Sequence, residues 1–231
     1  MTHGAGRLAA KRATTIIPIV FGISGDPVAE GLVSSVARPG GNITGLSYFG
    51  PELAAKKLEL LKEAAPRITR VAVLANWDNP ANRPALEAME SAARALKVGL
   101  HPVGVRKPDD VAGAFRGIAA SRADALWVSA DAVITSNMTR IADLALQQRL
   151  PSVGFTEWPE GGGLMTYDVD VPPMFRRAAT FVDKILRGTK PADLPVEQAM
   201  QFELILNMKT ARTLGITFPQ SILLRATRAI E

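Results

Sequence analysis

Short apolar runs, each followed by a polar turn and a helix-forming segment, recur along this chain. The clearest example begins with Val71 to Leu74, a run too short for a helix and typical of a strand buried on both faces. A turn rich in Asn and Asp comes next, and 85–97 then has the composition of a helix. Strand, polar turn and helix therefore form the repeating unit of the chain.

Repetition of this unit predicts an α/β fold with a largely parallel sheet. Extended segments are expected at 16–21, 43–47, 71–74, 100–105, 125–128, 151–155, 163–167, 202–207 and 222–225. Helices are expected at 5–13, 29–36, 52–64, 85–97, 108–121, 133–148, 172–187 and 208–214.

Polar side chains follow several of these strands directly. Ser24 and Asp26 follow the first, 76–79 the third, 129–131 the fifth, and 156–157 the sixth. Carboxyl ends of parallel strands with right-handed connections meet at one sheet edge, where open α/β sheets bind ligands. We expect the later turns to converge there, although each turn alone also fits simple helix capping.

Composition excludes several classes of protein. The chain has 231 residues and 47% apolar content, which is ample for a core, but it has no Cys and only two His, so a thiolate or histidine metal site is not expected. The net charge of +5 comes from scattered Lys and Arg, which favours solvated helix faces over a nucleic-acid surface. No apolar run has the length of a membrane span, and the N-terminus carries no export signal.

The motifs SGDPVAEGLV, ARPGGNITGLS, VAVLAN and RGTKPADLPVEQ occur in this order along the chain. With the segments around them they resemble the substrate-binding proteins of ABC transporters, in particular the group that includes tryptophan- and tyrosine-binding proteins. The resemblance implies two Rossmann-like lobes of periplasmic-binding-protein type I that close around a small organic solute, possibly an amino acid. It also implies delivery to permease subunits from a periplasmic or membrane-anchored extracytoplasmic position, with no cofactor and no enzymatic step.

Carried over position by position, the resemblance and the polar turns nominate ligand contacts in a cleft between the lobes. These are Ser24, Asp26, Pro27, Asn76, Trp77, Asn79, Asp131, Thr156, Glu157 and Asp168. Asp131 is the first choice for holding a solute ammonium group. Trp77 is either an aromatic wall of the site or core packing, whereas Trp158 is expected to pack within its loop. Asp168 is either a ligand acceptor or a hinge residue.

The resemblance also predicts where the chain crosses between lobes. Hinge residues are expected at Gly45, Leu46, Ser47 and Tyr167. Residues 1–45 plus 171–190 would form the first lobe, and 46–170 plus 191–231 the second. Relatives carry a further strand–helix region before this point, so the chain is expected to be a truncated version of such a protein, with an incomplete first lobe and weak or no solute binding.

Two other functions share this architecture. An enzyme that binds nucleotides would need a G-x-G-x-x-G turn or a P-loop, and the sequence contains neither. The effector-binding domain of a transcription regulator has the same two-lobed plan and is the other alternative.

Overall fold

The computed structural model describes residues 4–48, 50–79, 82–199 and 201–231. Helices in this part are α1 Gly4–Ala13, α2 Gly50–Ala64, α3 Asn82–Leu96, α4 Asp110–Ala120, α5 Ala132–Ser136, α6 Met138–Gln147, α7 Val171–Leu186, α8 Met208–Leu214 and α9 Gln220–Leu223. Strands are β1 Ile19–Ser24, β2 Ile43–Ser47, β3 Arg70–Ala75, β4 Gly99–Gly104, β5 Ala125–Val128, β6 Ser152–Gly154, β7 Met165–Val169, β8 Glu197–Gln198, β9 Phe202–Asn207 and β10 Arg228–Ile230. A 3₁₀ turn lies at Pro191–Asp193. The α/β fold class is confirmed.

The chain divides into two compact units. Unit 1 comprises 1–51 and 169–202, and unit 2 comprises 52–168 and 203–231. The expected division differs mainly at 191–202, which belongs to unit 1 because β8 pairs with β2. A strand joins the unit whose sheet completes its hydrogen bonds, and no local sequence signal announces that pairing.

Unit 2 is built on a seven-stranded sheet in the order β10-β9-β7-β6-β5-β3-β4. β4, β3, β5, β6 and β7 pair in parallel with their neighbours. Alternate β3 residues pack on opposite faces of the sheet. Val71 and Val73 belong to a buried cluster with α2 and α3, while Ala72 and Leu74 belong to one with α4 and α6. Burial on both faces explains why these strands are continuous apolar runs.

Unit 1 contains a three-stranded sheet in the order β1-β2-β8, whose pairs are parallel. β1 has one partner among the described strands, and Ile16 and Ile17 before it are 86% and 66% exposed. α7 covers the sheet with Met174 and Phe181, which belong to the same buried cluster as Leu46 of β2. The helix thus supplies the apolar face that a small sheet needs.

Three expected elements are wrong. Residues 29–36 form turns rather than a helix, because Gly31 has a φ of +70° and its amide bonds the Val28 carbonyl. The expected helix over 133–148 is two helices broken at Asn137, whose amide side chain donates to the Val133 carbonyl. Residues 220–223 are helical rather than extended.

Gly45 of β2 lies close against the Phe21 backbone of β1. A Cβ built on Gly45 would lie 2.0 Å from the Phe21 carbonyl oxygen. Gly45→Ala should therefore lower the free energy of unfolding by about 2–3 kcal/mol through overpacking, measured by urea denaturation. Gly41→Ala is the matched control, since nothing lies within 4 Å of its Cβ position. Equal losses in both variants would contradict the prediction.

Glu63 ties the end of α2 to α9 in unit 2. A hydrogen bond from the Ser221 hydroxyl and the nearby Arg225 guanidinium lower the pKa of Glu63 below its usual value. A lowered folded pKa contributes stability above the unfolded pKa, and that stability is lost as the pH falls through the folded pKa. The pair is partly exposed, with side chains 34% and 44% accessible, so its contribution is about 0.5 kcal/mol.

Glu63→Gln should therefore reduce the free energy of unfolding at neutral pH and leave it unchanged in acid, below the folded pKa. Denaturation curves across this pH range test the prediction, with Glu52→Gln as the control, because Glu52 is exposed on the same helix and has no ion pair among the described residues. A loss that persists unchanged in acid would show that the effect is not electrostatic.

Candidate functional site

Polar side chains gather at the carboxyl edge of the unit 2 sheet. β3, β5, β6 and β7 are parallel neighbours, so the turns after them leave from the same edge. Asn76 follows β3, 129–131 follows β5, 155–157 follows β6, and Asp168 lies near the end of β7. The expected convergence of these turns at one sheet edge is therefore observed.

Asp131 is the centre of this group. Asn79 Nδ2 donates to its Oδ2 at 3.2 Å, and Asn76 Nδ2 donates to its Oδ1 at 3.5 Å. The Val133 amide donates to Oδ1 at 3.2 Å, which makes Asp131 the N-cap of α5. The Asp131 carboxylate thus accepts hydrogen bonds from two Asn side chains that lie more than 50 positions earlier in the sequence. The capping interpretation is confirmed for Asp131, and its role in binding a ligand stays a prediction.

The Asp131 carboxylate has no cationic partner among the described residues. The residue is 7% exposed, and among the described residues no Lys, Arg or His lies within ion-pair distance of it. Ser129 Oγ, two residues earlier, is buried and has no hydrogen-bond partner in the part of the chain described. A buried carboxylate that accepts hydrogen bonds only from neutral donors favours binding of a positively charged group, because the free-energy cost of its desolvation is otherwise uncompensated.

The loop that carries the two amides is itself ordered by hydrogen bonds. The Asp78 amide donates to Asn76 Oδ1 at 3.1 Å, and Asn82 Nδ2 donates to the Asn76 carbonyl at 2.8 Å. The Asn76 side-chain oxygen therefore accepts a hydrogen bond within its own turn, while its side-chain nitrogen donates one to Asp131. These hydrogen bonds fix the orientation of the Asn76 amide that donates to Asp131.

The other unit 2 candidates lie near this edge with different surroundings. Thr156 and Glu157 are half-buried in the turn after β6. Trp77 is also half-buried, and its ring packs against the core cluster beside Gly104 of β4. Trp158 is fully buried and donates from Nε1 to Ser152 Oγ, as expected for loop packing. Ligand contact by Thr156, Glu157 and Trp77 stays a prediction.

Asp168 is engaged by a residue that sequence reasoning missed. Lys57 Nζ donates to its Oδ2 at 2.8 Å, and the two side chains are 9% and 11% exposed. Lys57 occupies a buried position of α2 between Leu53 and Leu61. A Lys in the apolar stripe of an amphipathic helix was the available signal, since a buried ammonium requires an anionic partner.

The unit 1 candidates surround the turn after β1. Asp26 Oδ1 accepts from the amides of Val28 and Ala29 at 3.0 and 2.9 Å, so its carboxylate caps its own turn. Ser24 and Pro27 are buried, and Ser24 Oγ has no partner among the described residues. The ligand roles of these three residues stay predictions.

The expected hinge residues lie in two strands, three of them in β2 and one in β7. Gly45, Leu46 and Ser47 lie within β2, which is paired on both sides, and the chain passes from unit 1 to unit 2 only after residue 51. Hydrogen bonds to two neighbours hold such a strand in place, so the passage is displaced from the expected position. Tyr167 lies next to Asp168, after which the chain returns to unit 1.

The described residues contain neither a cluster of metal-ligating side chains nor a helix suited to span a membrane. Within the described ranges, no group of three or more His, Cys, Asp or Glu side chains could hold a metal ion. Among those same residues, no helix has both the length and the apolar character that crossing a membrane requires.

Comparison with known proteins gives concordant matches. The family described as ABC transporter substrate binding protein matches residues 4–230. The Tyrosine-binding protein of Clostridioides difficile is 27% identical over 210 residues, which are 90% of this chain and 60% of that protein. The chain therefore spans 60% of the length of this curated relative.

Solved structures agree with these matches. An ABC domain from Streptococcus pneumonia in complex with L-Trp superposes with a TM-score of 0.90 at 26% identity, covering 98% of this chain and 78% of that one. A conserved domain protein from Vibrio cholerae gives a TM-score of 0.90 at 30% identity, covering 98% and 76%. The expected periplasmic-binding-protein type of fold is confirmed.

The buried pair Lys57–Asp168 generates a stability prediction. Lys57→Met leaves the Asp168 carboxylate buried without its cation and should lower the free energy of unfolding by about 3 kcal/mol. Lys56→Met is the matched control, because Lys56 pairs with Glu59 on the exposed face of the same helix and should change stability by about 0.5 kcal/mol or less. Urea denaturation measures both, and comparable losses would contradict the assignment.

Proposed function

Because this chain belongs to the family of ABC transporter substrate-binding proteins, we propose that it binds a small organic solute for an ABC importer. The proposed solute carries a protonated amine, and amino acids are the leading class. Binding takes place at the carboxyl edge of the unit 2 sheet, without chemistry. Partners are the permease subunits, and the working location is extracytoplasmic.

The Asp131 carboxylate is the observation that carries the proposal. It is buried, it accepts three neutral hydrogen bonds, and no cation among the described residues compensates it. An ionised carboxylate offers about four acceptor directions, so at least one is available for a guest. An ammonium group supplies both the missing charge and three donors, which makes it the complementary ligand group.

The relatives support the amino-acid class. One relative is a tyrosine-binding protein, and a second was solved in complex with L-Trp. An aromatic amino acid carries the ammonium group that the Asp131 site requires. The transcription-regulator alternative has no comparable support, because the family match covers nearly the whole chain.

The described side chains that contact the Asp131 carboxylate support binding without catalysis. The Asn76 and Asn79 amides do not titrate, and they hold Asp131 as an acceptor. Such a site recognises charge and geometry, whereas general acid–base catalysis needs a group placed to transfer a proton.

A titration followed by NMR tests the proposal and detects binding even at millimolar Kd. L-Tyrosine and L-tryptophan should shift the signals of the Asn76 and Asn79 side-chain amides and the Val133 backbone amide. Matched ligands that lack the ammonium group, 3-(4-hydroxyphenyl)propionate and indole-3-propionate, should shift them much less. Asp131→Asn should weaken binding of the amino acids by about 30-fold or more, since a buried charged contact is lost.

The variant Asp143→Asn is the control, because Asp143 is an exposed residue of α6 and makes no contact with Asp131 among the described hydrogen bonds. Equal affinity of the amino acids and their deaminated analogues would contradict the role of Asp131. Absence of any shift across a panel of amines and amino acids would contradict solute binding at this edge.

A further inference from the structure

Helix α7 has two apolar sides, and the described residues of unit 1 cover only one of them. Met174 and Phe181 face the sheet and belong to its buried cluster. The second side, the α7 stripe, consists of exposed residues, which are Phe175, Ala179, Val182 and Leu186. Leu186 is 82% exposed. A continuous apolar stripe on a protein surface is typical of a contact with another molecule.

The spacing of the α7 stripe is that of a coiled-coil seam. Its members are separated by four, three and four positions, so they occupy alternating d and a positions of a heptad pattern. A seam this short does not by itself form helices from an unfolded chain, because helix nucleation is costly. Since α7 is already folded on its sheet, a second helix can pack on it without that cost.

The α7 stripe continues onto the outer edge of β1. A Cβ built on Gly22 of β1 would lie 2.6 Å from the Phe175 ring, so the two residues are in direct contact. A cavity of about 310 Å³ beside them is lined by residues 19–23 of β1 together with Phe175 and residues of α1. Successive strand residues point to opposite faces, so a cavity that touches all of 19–23 runs along the strand edge. Because β2 is the one partner of β1 among the described strands, this edge can pair with a further strand.

The charges beside the α7 stripe complement those of a second copy of the same helix. Arg176 and Asp183 each follow a d position, so both occupy e positions. Among the described residues Arg176 has no ion pair, and Asp183 pairs with Arg187 of the same helix in an exposed contact at 3.0 Å. When two identical helices pack antiparallel, e positions face e positions, so Arg176 faces Asp183 of the second copy and the contact occurs twice. This self-complementarity favours a second copy as the occupant of the surface.

We propose that the α7 stripe and the adjoining β1 edge form a twofold interface between two copies of this chain. α7 packs antiparallel on α7 of the second copy, with Phe175 opposite Leu186 and Ala179 opposite Val182. The smaller side chains, Ala179 and Val182, lie at the centre, where the two helices approach most closely. Such an interface uses the same surface on both copies, so assembly closes at a dimer. The interface belongs to unit 1, and it does not depend on the solute site proposed in unit 2.

Sedimentation equilibrium tests the interface. The average mass of the chain should rise with protein concentration from 24.6 kDa towards twice that value. Leu186→Glu places a charge in the seam and should raise the dimer Kd by about 100-fold or more, because the charge would be buried without a partner. Leu224→Glu is the matched control, since Leu224 is a similarly exposed Leu of unit 2, and it should dimerise like the parent. A mass that stays at 24.6 kDa at every concentration, or equal loss of the dimer in both variants, would overturn the proposal.

Charge reversal tests the contact between Arg176 and Asp183. Asp183→Arg should raise the dimer Kd by about tenfold, because two attractive contacts become repulsive. Arg176→Asp combined with Asp183→Arg restores opposite charges across the interface and should return the Kd to the parent value. The double variant has the net charge of the parent, so its recovery reports the contact itself. A double variant that dimerises no better than Asp183→Arg would contradict the proposed pairing.

Disulfide trapping tests the antiparallel arrangement, and the chain suits it because it contains no Cys. Ala179→Cys and Val182→Cys are made as separate variants, one of them with a tag that separates the products by size. After mild oxidation of an equimolar mixture, the disulfide between the two different variants should predominate, since these positions face each other across the twofold axis. Predominance of a disulfide of either variant with itself would overturn the arrangement.

Discussion

Parallel pairing of strands buried on both faces is the constraint on which unit 2 depends. β3 lies between β4 and β5, and its alternate residues pack into two separate apolar clusters. Parallel neighbouring strands run in the same direction, so the turns that follow them lie at one edge of the sheet. Asn76 and Asp131 meet for this reason, although 55 positions separate them. The candidate site is thus a consequence of how the core is built.

The three buried carboxylates of Asp168, Glu30 and Asp131 differ in how their charges are compensated. Asp168 has the Lys57 ammonium, and Glu30 has the Arg7 guanidinium together with backbone amides. Among the described residues, Asp131 has only neutral donors. Cations of the protein compensate the charges of Asp168 and Glu30. The Asp131 carboxylate has no such cation in the described part of the chain, which makes it a candidate position for an external cation. The contrast separates structural ion pairs from a candidate binding group by physical criteria.

Much of the fold and part of the site follow from local sequence. Apolar runs such as 71–74 correctly predicted strands, and the amphipathic pattern of 172–187 correctly predicted α7, because burial acts on each short segment directly. The polar residues after β3 and β5 were predictable as a converging group from the topology alone. Where turn geometry competed with helix propensity, prediction failed: Gly31 and Asn137 interrupted two expected helices.

Local sequence by itself determined which residues end the strands and which segments can be buried, since both depend on near neighbours. Only the tertiary structure decided their partners. The pairing of β2 with β8, which assigns 191–202 to unit 1, joins residues about 150 positions apart. Likewise, the position of Lys57 in the apolar stripe of α2 signals a need for an anionic partner, but which carboxylate pairs with Lys57, and which guanidinium with Glu30, is decided by other elements of the fold. Long-range contacts carry no local signal, because their free energy appears only once the chain is folded.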